Sequence, residues 1–236
     1  MHALRATLVP ASLYSMRLPY THQSALTYPL PPPSTIFGLL ANALQRAEER
    51  PPLDCLSDVE AGVRLAAATC DGLIATRSCI VSLVTKLEGE GKKTNALPRQ
   101  FAHTAALDIY ALGEDIALLE RCAAALRRAP VSLGDSESPA TVTAAAISPC
   151  AVTHATQGQE VLTGGYIRQN LVRQVRGQNA LFWCHETCRD ARDLHGYLFP
   201  LRLVGHTFEP SPVQAVLAAE ALRYEVGTVR LFAPAA

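Results

Sequence analysis

Between Ser12 and Leu26 the chain carries Tyr14, Arg17, Tyr20, His22 and Gln23 with neither helical nor strand periodicity. Aromatic rings interleaved with arginine and imidazole suit base stacking and phosphate pairing, and they equally suit half-buried loop anchors. A second group follows at once. Pro29-Leu30-Pro31-Pro32-Pro33 is a stiff polyproline-type lead-in, because proline fixes φ and supplies no N–H. Ser34 or Thr35 can then cap a helix whose apolar face is Ile36, Leu39, Leu40, Ala43 and Leu44. The positive end of that helix is an anion or phosphate site, or simply a capped core helix behind a turn.

Two further clusters are basic. From Arg77 to His103 there are five basic and two acidic residues, with Lys86, Lys92, Lys93 and Arg99 around a polar, Gly-containing tip. Such an arm can straddle a nucleic-acid backbone or be an ordinary solvated hairpin end. Arg168, Arg173 and Arg176 lie in a stretch without acids between Gly164 and Ala180, which reads as a basic strip or a solvated arginine face. Cys184-His185-Glu186-Thr187-Cys188, with His195 and His206 beyond, has zinc-like ligand types. It lacks a second cysteine pair, so packed thiols are the expectation and no metal site is predicted. Walker, His-Glu-x-x-His, Gly-x-Ser-x-Gly and Rossmann patterns are absent, and no cofactor is expected.

The elements that must position these residues follow from patterning. His2–Pro10 reads as a strand with Leu4, Ala6 and Leu8 on one face. After the first helix, Glu48 to Pro52 reads as a stop and linker. Residues 63–70 and 73–84 read as strands joined by an Asp71-Gly72 hairpin turn, and a strand resumes near Phe101 and runs through Leu112. A second helix spans about 113–128, with Ile116, Leu119, Ala123 and Leu126 on one face, and residues 140–147 form another strand. Strands are expected at 197–204 and 226–232, with a short helix near 213–222. The βαββαβ order predicts an α+β fold: a ferredoxin-like, RRM-type domain over 1–149 with an extended β-hairpin at about 77–103. A small β-containing appendage occupies 150–236. One face of the sheet is expected to remain open for a partner.

Composition bounds the rest. The chain has 236 residues, 49% of them hydrophobic, enough for a sizeable core. Its 21 basic and 21 acidic residues cancel, which excludes a freestanding basic nucleic-acid binder and confines any RNA contact to local patches. Seven cysteines, no signal-peptide pattern and no membrane-length apolar run predict a soluble, reduced, cytoplasmic protein that engages no membrane.

The stretch Tyr28-Pro-Leu-Pro-Pro-Pro-Ser-Thr-Ile-Phe-Gly-Leu-Leu-Ala-Asn-Ala-Leu44 resembles the motif after the first strand of the CRISPR-associated Cas-five family. The Leu133-Gly134 loop before a strand is similar to that family as well. The resemblance implies a subunit of a type I Cascade that caps the 5′ handle of the crRNA, with a hairpin thumb over the guide. Its implied neighbours are the Cas-seven backbone and a Cas-eight-type large subunit, and target DNA is met indirectly. It places the RNA-binding residues at Arg17, Tyr20, His22, Ser34, Thr35 and Asn42 around the first helix. Lys86, Lys92, Lys93 and Arg99 on the thumb, and Arg168, Arg173 and Arg176, complete the set. Some members cleave precursor guide RNA without metal through Tyr, Lys and His, types that Tyr20, His22 and Lys86, Lys92 or Lys93 could supply. The expectation is a non-catalytic RNA-binding subunit. The alternatives are a pre-crRNA endoribonuclease or a structural subunit without RNA contact.

Overall fold

Alternation at the N-terminus decides which way the first strand faces. In β1 (His2–Pro10), Leu4, Ala6 and Leu8 are buried beneath the helices, while Arg5 and Thr7 bond Asp108 across the opposite face. The computed structural model describes all residues except 20, 22–23, 87–91, 135–137, 156–158, 164, 189–192 and 236, and the backbone alone for the remainder of 82–96.

The chain continues through α1 (Pro33–Glu48), α2 (Pro52–Gly62), β2 (Leu65–Thr69), β3 (Ile74–Lys86), β4 (Lys92–His103) and β5 (Leu107–Gly113). Next come α3 (Ile116–Arg128), β6 (Val131–Ser132), β7 (Pro139–Pro149), β8 (Ala151–His154), β9 (Gln159–Leu162) and β10 (Ile167–Arg168). After a 3-10 turn at Gln169–Leu171 follow β11 (Val172–Arg176), β12 (Ala180–His185), β13 (Leu194–Phe199) and β14 (Leu201–Val204). The chain closes with β15 (Thr207–Pro210), β16 (Val213–Leu217), β17 (Ala221–Val226) and β18 (Val229–Pro234).

The central sheet is ordered β2-β5-β1-β7-β6 and antiparallel throughout, with Leu4 opposite Ala111 on one side and Ile147 on the other. Between β2 and β5 the chain leaves this sheet to form a hairpin of β3 and β4, paired from Ala75↔His103 out to Lys86↔Lys92. Its arms project, as Ile80 at 77% exposure attests. The hairpin root is stitched to the C-terminal half, where β15 pairs with β3 through Thr207↔Ala75 and Phe208↔Ile74.

Several expectations are corrected. Asp71-Gly72 is a corner between sheets, not a hairpin turn: β2 pairs with β5 and β3 with β4. Gly72 lacks the positive φ that a two-residue type I′ turn demands. The single strand expected from Phe101 to Leu112 is two, broken at Thr104–Ala106, where Thr104 Oγ1 lies 3.3 Å from Cys70 Sγ at the same corner. Glu48 to Pro52 is no linker. Glu49 turns left-handed (φ 53°), and Pro52 starts α2 from its first turn, the one helical position that proline suits. The helix expected near 213–222 is β16, whose Val213, Ala215 and Leu217 are buried between β11 and β9.

The sheet face expected to be open is partly closed. Ala3, Ala67, Tyr110 and Leu112 pack against Tyr224, Leu231 and Ala233 of β17 and β18. The boundary at 149/150 falls at the end of β7, and the largest core cluster draws on both sides of it, joining Ile36, Leu40 and Tyr28 to Cys184, Phe199 and Phe208. Among the described residues no helix is long and apolar enough to cross a membrane.

Candidate nucleic-acid interface

The segment between β1 and α1 looks irregular in sequence, yet backbone pairing holds it closely. Tyr14 and Ala102 exchange two N–H···O bonds of 2.9 and 2.7 Å, Ala25 N–H donates to Pro98 O (2.9 Å), and Gln100 N–H donates to Ala25 O (2.7 Å). Within the segment Leu18 N–H reaches Leu26 O and Tyr28 N–H reaches Met16 O, so it folds back on itself as a narrow finger laid on β4. Tyr14, whose ring the aromatic pattern offered for stacking, is fully buried and donates to Pro29 O at 3.0 Å. It anchors the proline lead-in instead.

That lead-in delivers α1 with its first turn bare. Pro32 precedes the helix and Pro33 begins it, neither with an N–H to satisfy, and Ile36 N–H returns to Pro32 O. Helix geometry leaves the Ser34 and Thr35 amides without an intrahelical acceptor. Neither hydroxyl caps the helix, contrary to expectation, because Pro32 occupies the N-cap position and Ser34 and Thr35 already lie within the first turn. No acidic residue lies in the first turn to neutralise its positive end.

Around this end the structure gathers three of the sequence-chosen residues. A cleft of about 450 Å³ is lined by Arg17, Leu18, Pro19, Tyr28, Pro32, Ser34, Thr35 and His185. Arg17 is exposed and donates to Thr21 O at 2.6 Å, which orients its guanidinium at the finger's edge. Thr35 also borders a smaller hollow of 250 Å³ with Gly38, Asn42 and Ser132, so Asn42 continues the same face two turns along α1. His185, at the end of β12, was not singled out from the sequence as an RNA contact. Its only signal was membership of the Cys-His-Glu-Thr-Cys cluster.

The remaining candidates lie elsewhere or are already paired. Tyr20 and His22 lie outside the described residues, as do the side chains of Lys86, Lys92 and Lys93; the last three occupy the far end of the hairpin by register. Arg99 stacks over Phe101 at 5.1 Å and donates from Nε to Ser15 Oγ at 3.2 Å, against the same finger. Arg168, Arg173 and Arg176 form no strip. Arg168 sits on β10, bound to Glu186 at 2.6 Å, beside a separate cavity of 360 Å³ that also contains Glu60. Arg173 and Arg176 are exposed on β11, where a register shift between Val172 and Gln174 interrupts the alternation.

Beneath the cleft the packing is aromatic. Tyr28 and Phe199 both meet Phe182 edge-on, and the Tyr28 hydroxyl donates to Trp183 O. Burial pushes the Tyr28 phenol well up and the Cys184 thiol up to about 12, so both stay protonated. Cys184 and Cys188 do not converge on a metal: Cys184 is buried, while Cys188 reaches from the surface to Ser34 O at 3.0 Å. Among the described residues the one cluster with ligand-like spacing is Glu186, Asp193 and His195. Its members already hold Arg168, the Tyr197 hydroxyl and one another.

Solved structures share the architecture. The chain matches a crystal structure of a CRISPR protein from Archaeoglobus fulgidus at 12% identity and TM-score 0.61, over 99% of both chains. A chain of a Type III-B Cmr-beta cryo-EM structure matches at 9% identity and TM-score 0.50, over 89% of this chain and 86% of that one. A chain of a CRISPR RNA-guided surveillance complex matches at 12% identity and TM-score 0.49, over 90% and 91%. Comparison with curated protein sequences gave no match. The family model described as CRISPR-associated protein (Cas_Cas5) matches residues 7–165, and the chain belongs to that family.

Proposed function

We propose that the chain is a non-catalytic RNA-binding subunit of a type I surveillance complex and caps the 5′ handle of the crRNA. The observation that carries this reading is the cleft at the start of α1, lined by Arg17, Ser34, Thr35 and His185 and, among the described residues, by no acid. Single-stranded ends are recognised at such places, by a few preorganised donors and not by a basic surface. Family membership and the fold shared with a chain of an assembly bound to cognate target RNA support it. The β2-β5-β1-β7 order, with α1 and α3 between strands, supports a ferredoxin-like, RRM-type frame with the β3–β4 hairpin as its thumb. On this reading the thumb packs over the guide beside Cas-seven, another surface meets the Cas-eight-type subunit, and the complex works in the cytoplasm.

The test is to incubate the purified chain with labelled repeat RNA in EDTA, on a denaturing gel and in a native shift with and without Cas-seven. Uncut RNA, with a shift abolished by scrambling the handle, is the expected result. Cleavage at one phosphodiester would make the protein a metal-independent nuclease, and assembly indifferent to handle sequence would make it a structural subunit.

A further inference from the structure

Trp183 is the chain's single tryptophan, and it is 54% exposed. Tryptophan is enriched at interfaces, where one end of the ring is apolar and the other reaches water. β12 alternates so that Phe182 and Cys184 turn inward, and Leu181, Trp183 and His185 turn outward. The backbone beneath the indole is held twice, by the ladder to Gly196 on β13 and by the Tyr28 hydroxyl on the Trp183 carbonyl.

Leu18, Pro19, Leu181, Phe182, Trp183 and Leu194 line an apolar shelf of about 430 Å³. Leu18 and Pro19 also wall the cleft at the start of α1, so shelf and cleft form one groove. Among the described residues neither part is lined by a carboxylate, whereas the 360 Å³ cavity contains Glu60 and Glu186, and the hollow between α2 and α3 contains Asp58, Glu114 and Asp115. His185 lines the cleft part, and its Nδ1 is buried with no hydrogen-bond partner among the described residues. A flat apolar shelf running into a polar, anion-tolerant end matches one kind of occupant, a nucleotide with its base on the shelf and its phosphate in the cleft.

We infer that Trp183 is the stacking platform for one nucleobase of the bound RNA, whose phosphate is held by Arg17, His185 and the first turn of α1. This inference rests on the RNA-binding reading above. It assigns to the C-terminal half a direct part in gripping RNA that begins at the N-terminal helix.

The single tryptophan makes the test direct. Single-stranded handle RNA is titrated into the full chain, following anisotropy of 3′-labelled RNA in one series and tryptophan emission with unlabelled RNA in the other. The expected result is quenching whose midpoint coincides with the anisotropy rise. One abasic position in the RNA should abolish the quenching while others preserve it. Trp183→Ala should weaken binding about 5- to 100-fold, and Trp183→Phe should recover most of it. Binding with unchanged emission would overturn the inference and leave the RNA-binding reading standing. No binding by either signal would remove both. Emission that responds to Cas-seven alone, and not further to RNA, would assign the shelf to a protein partner and overturn the inference.

Discussion

Arg17 has the clearest task of the side chains around the cleft. It is exposed, and its guanidinium donates to the finger's own Thr21 carbonyl. Arg17→Ala should therefore weaken handle RNA about 5- to 10-fold, the worth of one charge-assisted phosphate contact, with thermal unfolding unchanged. Equal affinities in an anisotropy titration would remove it from the site. The thiols divide as clearly. Cys79 and Cys188 are exposed, while burial holds Cys122 and Cys184 up to about 12. At neutral pH a maleimide should label Cys79 and Cys188 quickly and the other five only on unfolding, as peptide mapping would reveal. At this scale the sequence displayed the types that mattered but not their partners. Arg17, Ser34 and Thr35 were legible as a cluster because they share one loop and one helix start. Arg168 was not, because the Glu186 that neutralises it arrives from across a sheet. Trp183 was invisible as a surface residue until the register of β12 showed which way it faces.

Elements hold that cluster in place, and Gly134 is where they meet most tightly. It lies at φ +90°, and a Cβ there would stand 2.1 Å from Ser15 O, on the finger that carries Arg17. Gly134→Ala should cost at least about 1–3 kcal/mol in urea unfolding, and it should weaken RNA binding more than Arg17→Ala does, since the whole finger must shift. Opposite this contact, α1, α2 and α3 are joined by Arg121 and Arg50 bridging Glu48 and Asp58 at 2.7–3.5 Å. Arg121 holds the Glu48 carboxyl below its usual range, and Arg50 does the same for Asp58. Each is still ionised in the folded protein at a pH where the unfolded chain has taken up protons. The network's stabilisation is thus complete above about pH 5 and is lost as pH falls through the lowered values. The groups are partly solvated, so Arg121→Gln should cost about 0.5–1 kcal/mol at pH 7, a difference that should shrink in urea titrations as pH falls through the lowered values. The proline-led α1 was legible because proline leaves few local choices. α2 was not, because it buries just Cys55 and Val59 along its length and announces no apolar stripe.

On the scale of the whole molecule, neutrality sets the character of binding. With 21 charges of each sign, affinity must come from the groove and the hairpin, so few counterions are released. A plot of log K against log salt should have a slope between about −1 and −3, and a steeper one would mean a wider basic footprint than the groove supplies. β1, α1, α3 and β7 were readable from periodicity because each carries its own pattern. The partnership of distant strands was not. Nothing in Thr207 or Phe208 announces that they will pair with Ala75 and Ile74, and an Asp-Gly corner resembles a hairpin until the strands on either side are seen to choose different sheets.

That late pairing has a bearing on how the protein comes into being. The hairpin leaves the ribosome well before the strand that clamps its root, and Phe182, Phe199 and Phe208, which pack beside Tyr28 and α1, also follow it in the chain. Through much of synthesis the nascent chain therefore carries an unpaired β3 edge at the hairpin root and an unfinished apolar face. Pausing or truncation in the last third of the message would release a species prone to edge-to-edge association, so the closing strands act as the step that makes the newborn chain safe.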